Sequence, residues 1–132
     1  TLEDWGRFGE FVLNNGRLPN GKQILPEHWV AQSADWNKAK NSVSVAHPQG
    51  LYGYQWWNNE VPANAKNVVP APLDSLKGSM WALGIYGQMI MVNRAENLVI
   101  VQWSTWPQAE PSFSAQPLEA SLMFSAIANA LH

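Results

Sequence analysis

Residues 80–91 read MWALGIYGQMIM. Two glycines, Gly84 and Gly87, bracket Ile85 and Tyr86, and an apolar run follows at once. Glycine weakens a strand interior, because it adds chain entropy and packs nothing. Two of them at the mouth of the most strand-like stretch mark either a bulge or a backbone that another group must approach closely.

The apolar run belongs to a hairpin. Residues 87–92 and 98–103 are both rich in β-formers, and Asn93–Asn97 connects them. Each arm is nearly continuously apolar, which predicts a sheet covered on both faces. Upstream, residues 51–58, LYGYQWWN, predict one more strand, aromatic and standing alone. Trp56 and Trp57 are adjacent, so they must point to opposite faces of that strand. One is expected in the core, and the other against solvent, a ligand or a missing domain. Residues 59–79 contain Pro62, Pro70 and Pro72 and little periodicity, which predicts a long surface loop.

Helices frame these strands. Thr1 and Asp4 make a helix start in which each can satisfy the other's backbone N–H. Leu2, Trp5, Phe8, Val12 and Leu13 share one face, and Asn15-Gly16 supplies a left-handed stop. Asn20-Gly21 is a turn signal that closes a tiny hairpin. Pro26 opens a short helix to Ala34, and residues 37–50 read as loop. Trp106–Pro111 also reads as loop. Pro117 starts a last helix with Leu118, Leu122, Ile127 and Leu131 as its apolar stripe. The expected class is α+β, an antiparallel sheet of about three strands flanked by helices. So thin a sheet is expected to continue into further chain.

The totals narrow the function. With 132 residues the chain has the size of one domain. Charged residues make up only 14%, against a usual quarter, so part of the surface is expected to lie against something else. Net charge is −2 and there is no basic cluster, which argues against a nucleic-acid partner. No apolar run approaches the length of a membrane span. The chain holds no cysteine, which excludes disulfides, thiol catalysis and cysteine-based metal sites. That absence fits periplasm and cytoplasm equally, and the compartment stays open between them. The first residue is Thr1 and no leader pattern follows, so the chain is expected to begin inside something larger or to have been processed.

Catalytic constellations are missing. No serine sits in a Gly-x-Ser-x-Gly elbow or has lysine three residues on, and no tyrosine has asparagine two residues on. His28, His47 and His132 are singletons without metal spacing. Glu3 and Asp4 are explained by a helix N-terminus, and no glycine-rich phosphate loop occurs. Neither a metal nor an organic cofactor is indicated. The unusual number is eight tryptophans. They can pack a core, or Trp56, Trp57, Trp81, Trp103 and Trp106 can form a stacking platform for sugars or other ligands. A coplanar exposed row would favour the platform, and burial against the sheet would oppose it.

Four stretches, in this order and spacing, resemble the serine β-lactamase-like family. They are residues 2–16 (LEDWGRFGEFVLNNG), 23–30 (QILPEHWV), 52–57 (YGYQWW) and 84–88 (GIYGQ) with its hairpin. That family groups class C β-lactamases, penicillin-binding DD-peptidases, esterases and 6-aminohexanoate-dimer hydrolases, and the last look most similar. The resemblance spans residues 2 to about 128. It implies that residues 1–132 are one segment, the C-terminal part of a larger bacterial β-lactamase/transpeptidase-like domain. Family members attack amides or esters with a serine from a Ser-x-x-Lys motif, aided by a tyrosine. Both lie N-terminal to the matched region. Ala82-Leu83-Gly84 stands where β-lactamases have Lys-Thr-Gly. No cation is there to hold a β-lactam carboxylate, so a neutral-pocket hydrolase is implied instead. The resemblance makes the Ile85 N–H an oxyanion donor beside Gly84, worth about 3 kcal/mol to a transition state. It places Tyr86, Gly87, Gln88 and Trp57 along the substrate, with Gly87 allowing close packing against the helix that carries the serine. The partner is then a small amide or ester, met in the full-length protein. The isolated segment is expected to be inactive and to self-associate through an open sheet edge and an uncovered face.

Overall fold

The computed structural model describes residues 1–34, 51–58, 76–109 and 115–131. The loop expected at 37–50 and most of that expected at 59–79 fall outside these residues.

Helix α1, Leu2–Leu13, begins as its sequence requires. The Thr1 hydroxyl accepts from the Asp4 N–H at 3.2 Å and donates to the Asp4 carboxylate at 2.7 Å. The Thr1 hydroxyl, the Thr1 amino group and the Arg7 guanidinium all bond this carboxylate and hold its pKa down at about 2. The helix stops where Asn15 and Gly16 turn left-handed, at φ of 56° and 74°. An antiparallel bridge between Arg17 and Gln23 then closes the small hairpin, with Gly21 at its tip. Helix α2 covers Trp29–Ala34, later than the Pro26 start expected, because residues 26–28 form a turn before it.

Five strands follow as an antiparallel meander in chain order: β1 (Leu51–Gly53), β2 (Trp56–Asn58), β3 (Ser79–Gly84), β4 (Gln88–Asn93) and β5 (Leu98–Gln102). The sequence suggested about three. One added strand comes from residues 51–58, which fold back on themselves as β1 and β2. Tyr54 and Gln55 make that reversal at φ of 50° and 70°. Hairpin turns of this hand are usually written Asn-Gly, so Tyr-Gln gave no signal. The other is β3, which pairs with β4 over its whole length, from Ser79 opposite Asn93 to Gly84 opposite Gln88. Gly84 therefore ends β3 and Gly87 closes the turn into β4, so the pair belongs to a turn between two strands and does not open one.

Both faces of the sheet are covered, as the unbroken apolar runs required. Along β4, Ile90 and Val92 pack with Val12, Val30 and Met80 under α1 and α2. Met89 and Met91 point the other way, into a cluster with Trp81 and helix α3, Ala115–Ala130. Trp56 and Trp57 divide likewise, one to each cluster. Buried Gly9 lets α1 come down onto β5, where an added Cβ would collide with Val99. At the far end of the hairpin, buried Asn93 donates to the Ser79 hydroxyl at 3.1 Å and accepts from the Glu96 N–H.

Helix α3 presents a different face from the one expected. Ala120, Phe124 and Ala128 are buried, while Leu122 and Leu131 are 51% and 63% exposed. A helix that is apolar nearly all round carries no periodicity to select its inner face. Two alanines let its axis approach the sheet, and Phe124 fills the gap, stacked on Trp81 with ring centres 5.5 Å apart and planes 10° apart. Phe124→Ala should cost about 3–5 kcal/mol. Urea denaturation should show this as a lower midpoint with an unchanged slope.

Candidate functional site

The turn between β3 and β4 is three residues long, Ile85-Tyr86-Gly87. Gly84 enters it fully extended, at φ −111° and ψ 162°. Tyr86 is left-handed at φ 58° and ψ 25°, and Gly87 follows at φ 83°. A left-handed tyrosine costs roughly 1–2 kcal/mol in backbone strain. Such strain persists only where the surroundings hold it, and it concentrates at working sites.

The surroundings here are the chain after β5. The Tyr86 N–H donates to the Ala109 carbonyl at 3.0 Å, and the Tyr86 carbonyl accepts from the Trp106 N–H at 3.2 Å. The Trp106 ring lies against Gly87, where a Cβ would fall 2.5 Å from its Cε2 atom. Within this chain Gly87 thus allows close packing against Trp106. Ile85 and Tyr86 project outward, 57% and 45% exposed, and give the turn an apolar tip.

Gln88 closes the base of the turn. Its side-chain amide donates to the carbonyls of Tyr86 and Ser104 and accepts from the Ser104 N–H. Gln102, on β5, donates to the Gly87 carbonyl at 3.2 Å and to the Ser104 hydroxyl at 2.7 Å. A Cβ placed on Gly84 would lie 3.1 Å from Gln88 Cβ, its cross-strand neighbour.

Gly84, Ile85, Tyr86, Gly87 and Gln88 are thus brought together at one end of the sheet. Trp57 is not. It sits opposite Trp81, half-buried, with its ring 4.6 Å from that of Tyr52. Trp81 and Gly84 are three steps apart along β3, a distance of about 10 Å. The structure adds Gln102, Ser104 and Ala109, which sequence reasoning passed over, and Trp106, which it named only for a loop and a stacking platform. Their only sequence signal was a polar glutamine at the turn end of each of two apolar strands.

Among the described residues, the tip carries no charged side chain. Lys77 precedes β3 and Arg94 follows β4, so both belong to the opposite end of the hairpin. An apolar cavity of about 200 Å³ also lies away from the turn. It is walled by Phe8, Phe11, Trp29, Trp56 and Met80, between α1, α2 and the sheet. Among the described residues, the tryptophans form no exposed row. Trp81 is buried, Trp56 and Trp57 are on opposite faces, and Trp103 meets Trp5 edge-on at 88°.

Gly87→Ala should destabilise the protein by more than the strain of one left-handed residue, because the new methyl also displaces Trp106. Gly84→Ala, at an ordinary backbone angle, should cost clearly less. Thermal unfolding of the two variants side by side checks this.

No family model matches the chain. It is 27% identical over 116 residues to the 6-aminohexanoate-dimer hydrolase of Paenarthrobacter ureafaciens. The match takes in 83% of this chain and 25% of that enzyme, so the chain spans about a quarter of the relative's length.

Proposed function

We propose that this chain is the C-terminal part of a β-lactamase-like serine hydrolase that cleaves a small amide or ester. On this reading the nucleophile and its lysine lie outside residues 1–132. The serine oxygen attacks the substrate carbonyl carbon and the carbonyl oxygen takes up the negative charge. Collapse of that intermediate expels the amine or alcohol and leaves an acyl-enzyme, which water then hydrolyses. This segment supplies the Ile85 N–H as one donor to the oxyanion and the apolar wall of Tyr86 beside it. Gly84 keeps the approach open.

One observation carries the reading. Tyr86 is held left-handed with its own N–H spent on Ala109, so Ile85 is the adjacent residue at the exposed tip whose N–H can serve a ligand. The partial match to an amide hydrolase supports the same class. The neutral tip suits an uncharged acyl group better than a carboxylate. The dispersed tryptophan rings speak against the alternative of a stacking platform for sugars.

Ile85→Pro in the full-length protein is the direct test. Proline removes the N–H while fitting a turn of this kind, and the extended Gly84 before it is the conformation that a residue preceding proline adopts. Its kcat on a chromogenic short-chain ester should fall 10²–10³-fold, about 3–4 kcal/mol. Ile85→Ala keeps the N–H and should stay within about tenfold. Equal activity of both variants would remove the oxyanion assignment. Gly84→Ala should also cut turnover. The isolated segment should hydrolyse nothing, and activity in it would mean that a nucleophile lies within these residues.

The isolated segment is also proposed to self-associate. Leu122 and Met123 on α3 and Leu131 just beyond its end are exposed, and β5 pairs only with β4 among the described residues. Sedimentation should show mass rising with concentration, and a monomer throughout would oppose this.

A further inference from the structure

We infer that Gln88 is the positioning residue of the turn, acting with Gln102 through Ser104. The inference rests on the hydrolase reading for its catalytic consequence, and on geometry alone for the clamp itself.

Backbone pairing between β4 and β5 ends at Met89 opposite Gln102. Beyond it the Gln88 side chain takes over. Its amide oxygen accepts the Ser104 N–H at 3.3 Å, and its amide nitrogen donates to the Ser104 carbonyl. A primary amide presents one acceptor and two donors, so it can satisfy both backbone groups of a single residue, as a neighbouring strand would. The second donor of the Gln88 amide goes to the Tyr86 carbonyl at 3.3 Å. Gln102 completes the loop of bonds by joining the Gly87 carbonyl to the Ser104 hydroxyl.

The consequence lies further along the chain. Ser104 is where residues 103–109 turn back over the β3–β4 turn. From that strap come the Trp106 N–H and the Ala109 carbonyl that hold Tyr86. Trp106 is also the ring that only glycine at position 87 can accommodate. The two glutamines therefore fix a strap, the strap fixes Tyr86, and Tyr86 holds the turn in which the Ile85 N–H stands. Gln88 touches no reacting atom on this account. It was expected along the substrate, yet its amide hydrogen bonds are made within the protein.

The test uses the full-length protein and the variants Gln88→Leu and Gln102→Leu. Hydrogen–deuterium exchange is read on peptides covering residues 84–88 and 103–109, with residues 89–92 as the internal reference. Exchange in the first two should quicken at least tenfold in Gln88→Leu and three- to tenfold in Gln102→Leu, while the reference stays protected. On the chromogenic ester, kcat should fall tenfold or more with KM within twofold. Unchanged exchange in both peptides overturns the clamp, whatever the activity. If Gln88→Leu does not fold, Gln102→Leu decides by the same criterion. If the wild-type protein hydrolyses nothing, the hydrolase reading falls, and the exchange data still decide the clamp.

Discussion

Strand β4 has no face turned to water, and the rest of the chain is arranged to satisfy it. Ile90 and Val92 lie under α1 and α2, while Met89 and Met91 lie under α3, and all four are buried. Its backbone bonds are met by β3 on one side and β5 on the other. Burial on this scale stabilises the sheet by roughly 1.5–3 kcal/mol for each large side chain removed from water. The same burial leaves no freedom of register. A slip by one residue would exchange the two clusters and drive each side chain into the wrong layer.

That rigidity is what allows strain at the sheet's end. A left-handed tyrosine is unfavourable alone, and here it is held by bonds from two directions and by the Trp106 ring against the next residue. The fixed hairpin provides one anchor and the strap after β5 provides the other. On the proposed hydrolase reading, a turn built this way would not need to reorganise as charge develops in front of it. Preorganisation of this kind is the usual source of transition-state stabilisation by backbone donors.

On the proposed hydrolase reading, the lack of charge among the described residues of the turn would bear on specificity. A serine hydrolase that recognises a carboxylate needs a cation near the acyl group. The hairpin's own cations, Lys77 and Arg94, are at its other end. On the proposed hydrolase reading, the apolar tip of Ile85 and Tyr86 would select by shape and by exclusion of water. Exclusion of water also strengthens any N–H to oxyanion bond made there.

Much of the fold was legible in the residues. Thr1, Asp4 and Asn15-Gly16 set both ends of α1, and the unbroken apolar run of β4 required cover on two faces. The spacing of Gly84 and Gly87 marked the end of the sheet where the candidate site lies, and the resemblance gave Ile85 its expected role. What could not be read were the features that depend on distant partners. The reversal at Tyr54-Gln55 lacks turn residues, because the pairing of β1 with β2 holds it. The inner face of α3 was hidden by apolar residues on every side, and only contact with Trp81 selected Phe124. The roles of Gln88, Gln102 and Trp106 arise from strands and strap meeting across 15 or more residues. Sequence alone determined the elements whose signals are local: caps, turns and periodicity. Tertiary structure decided the site, because a strained backbone is held in place only by groups far away in the chain.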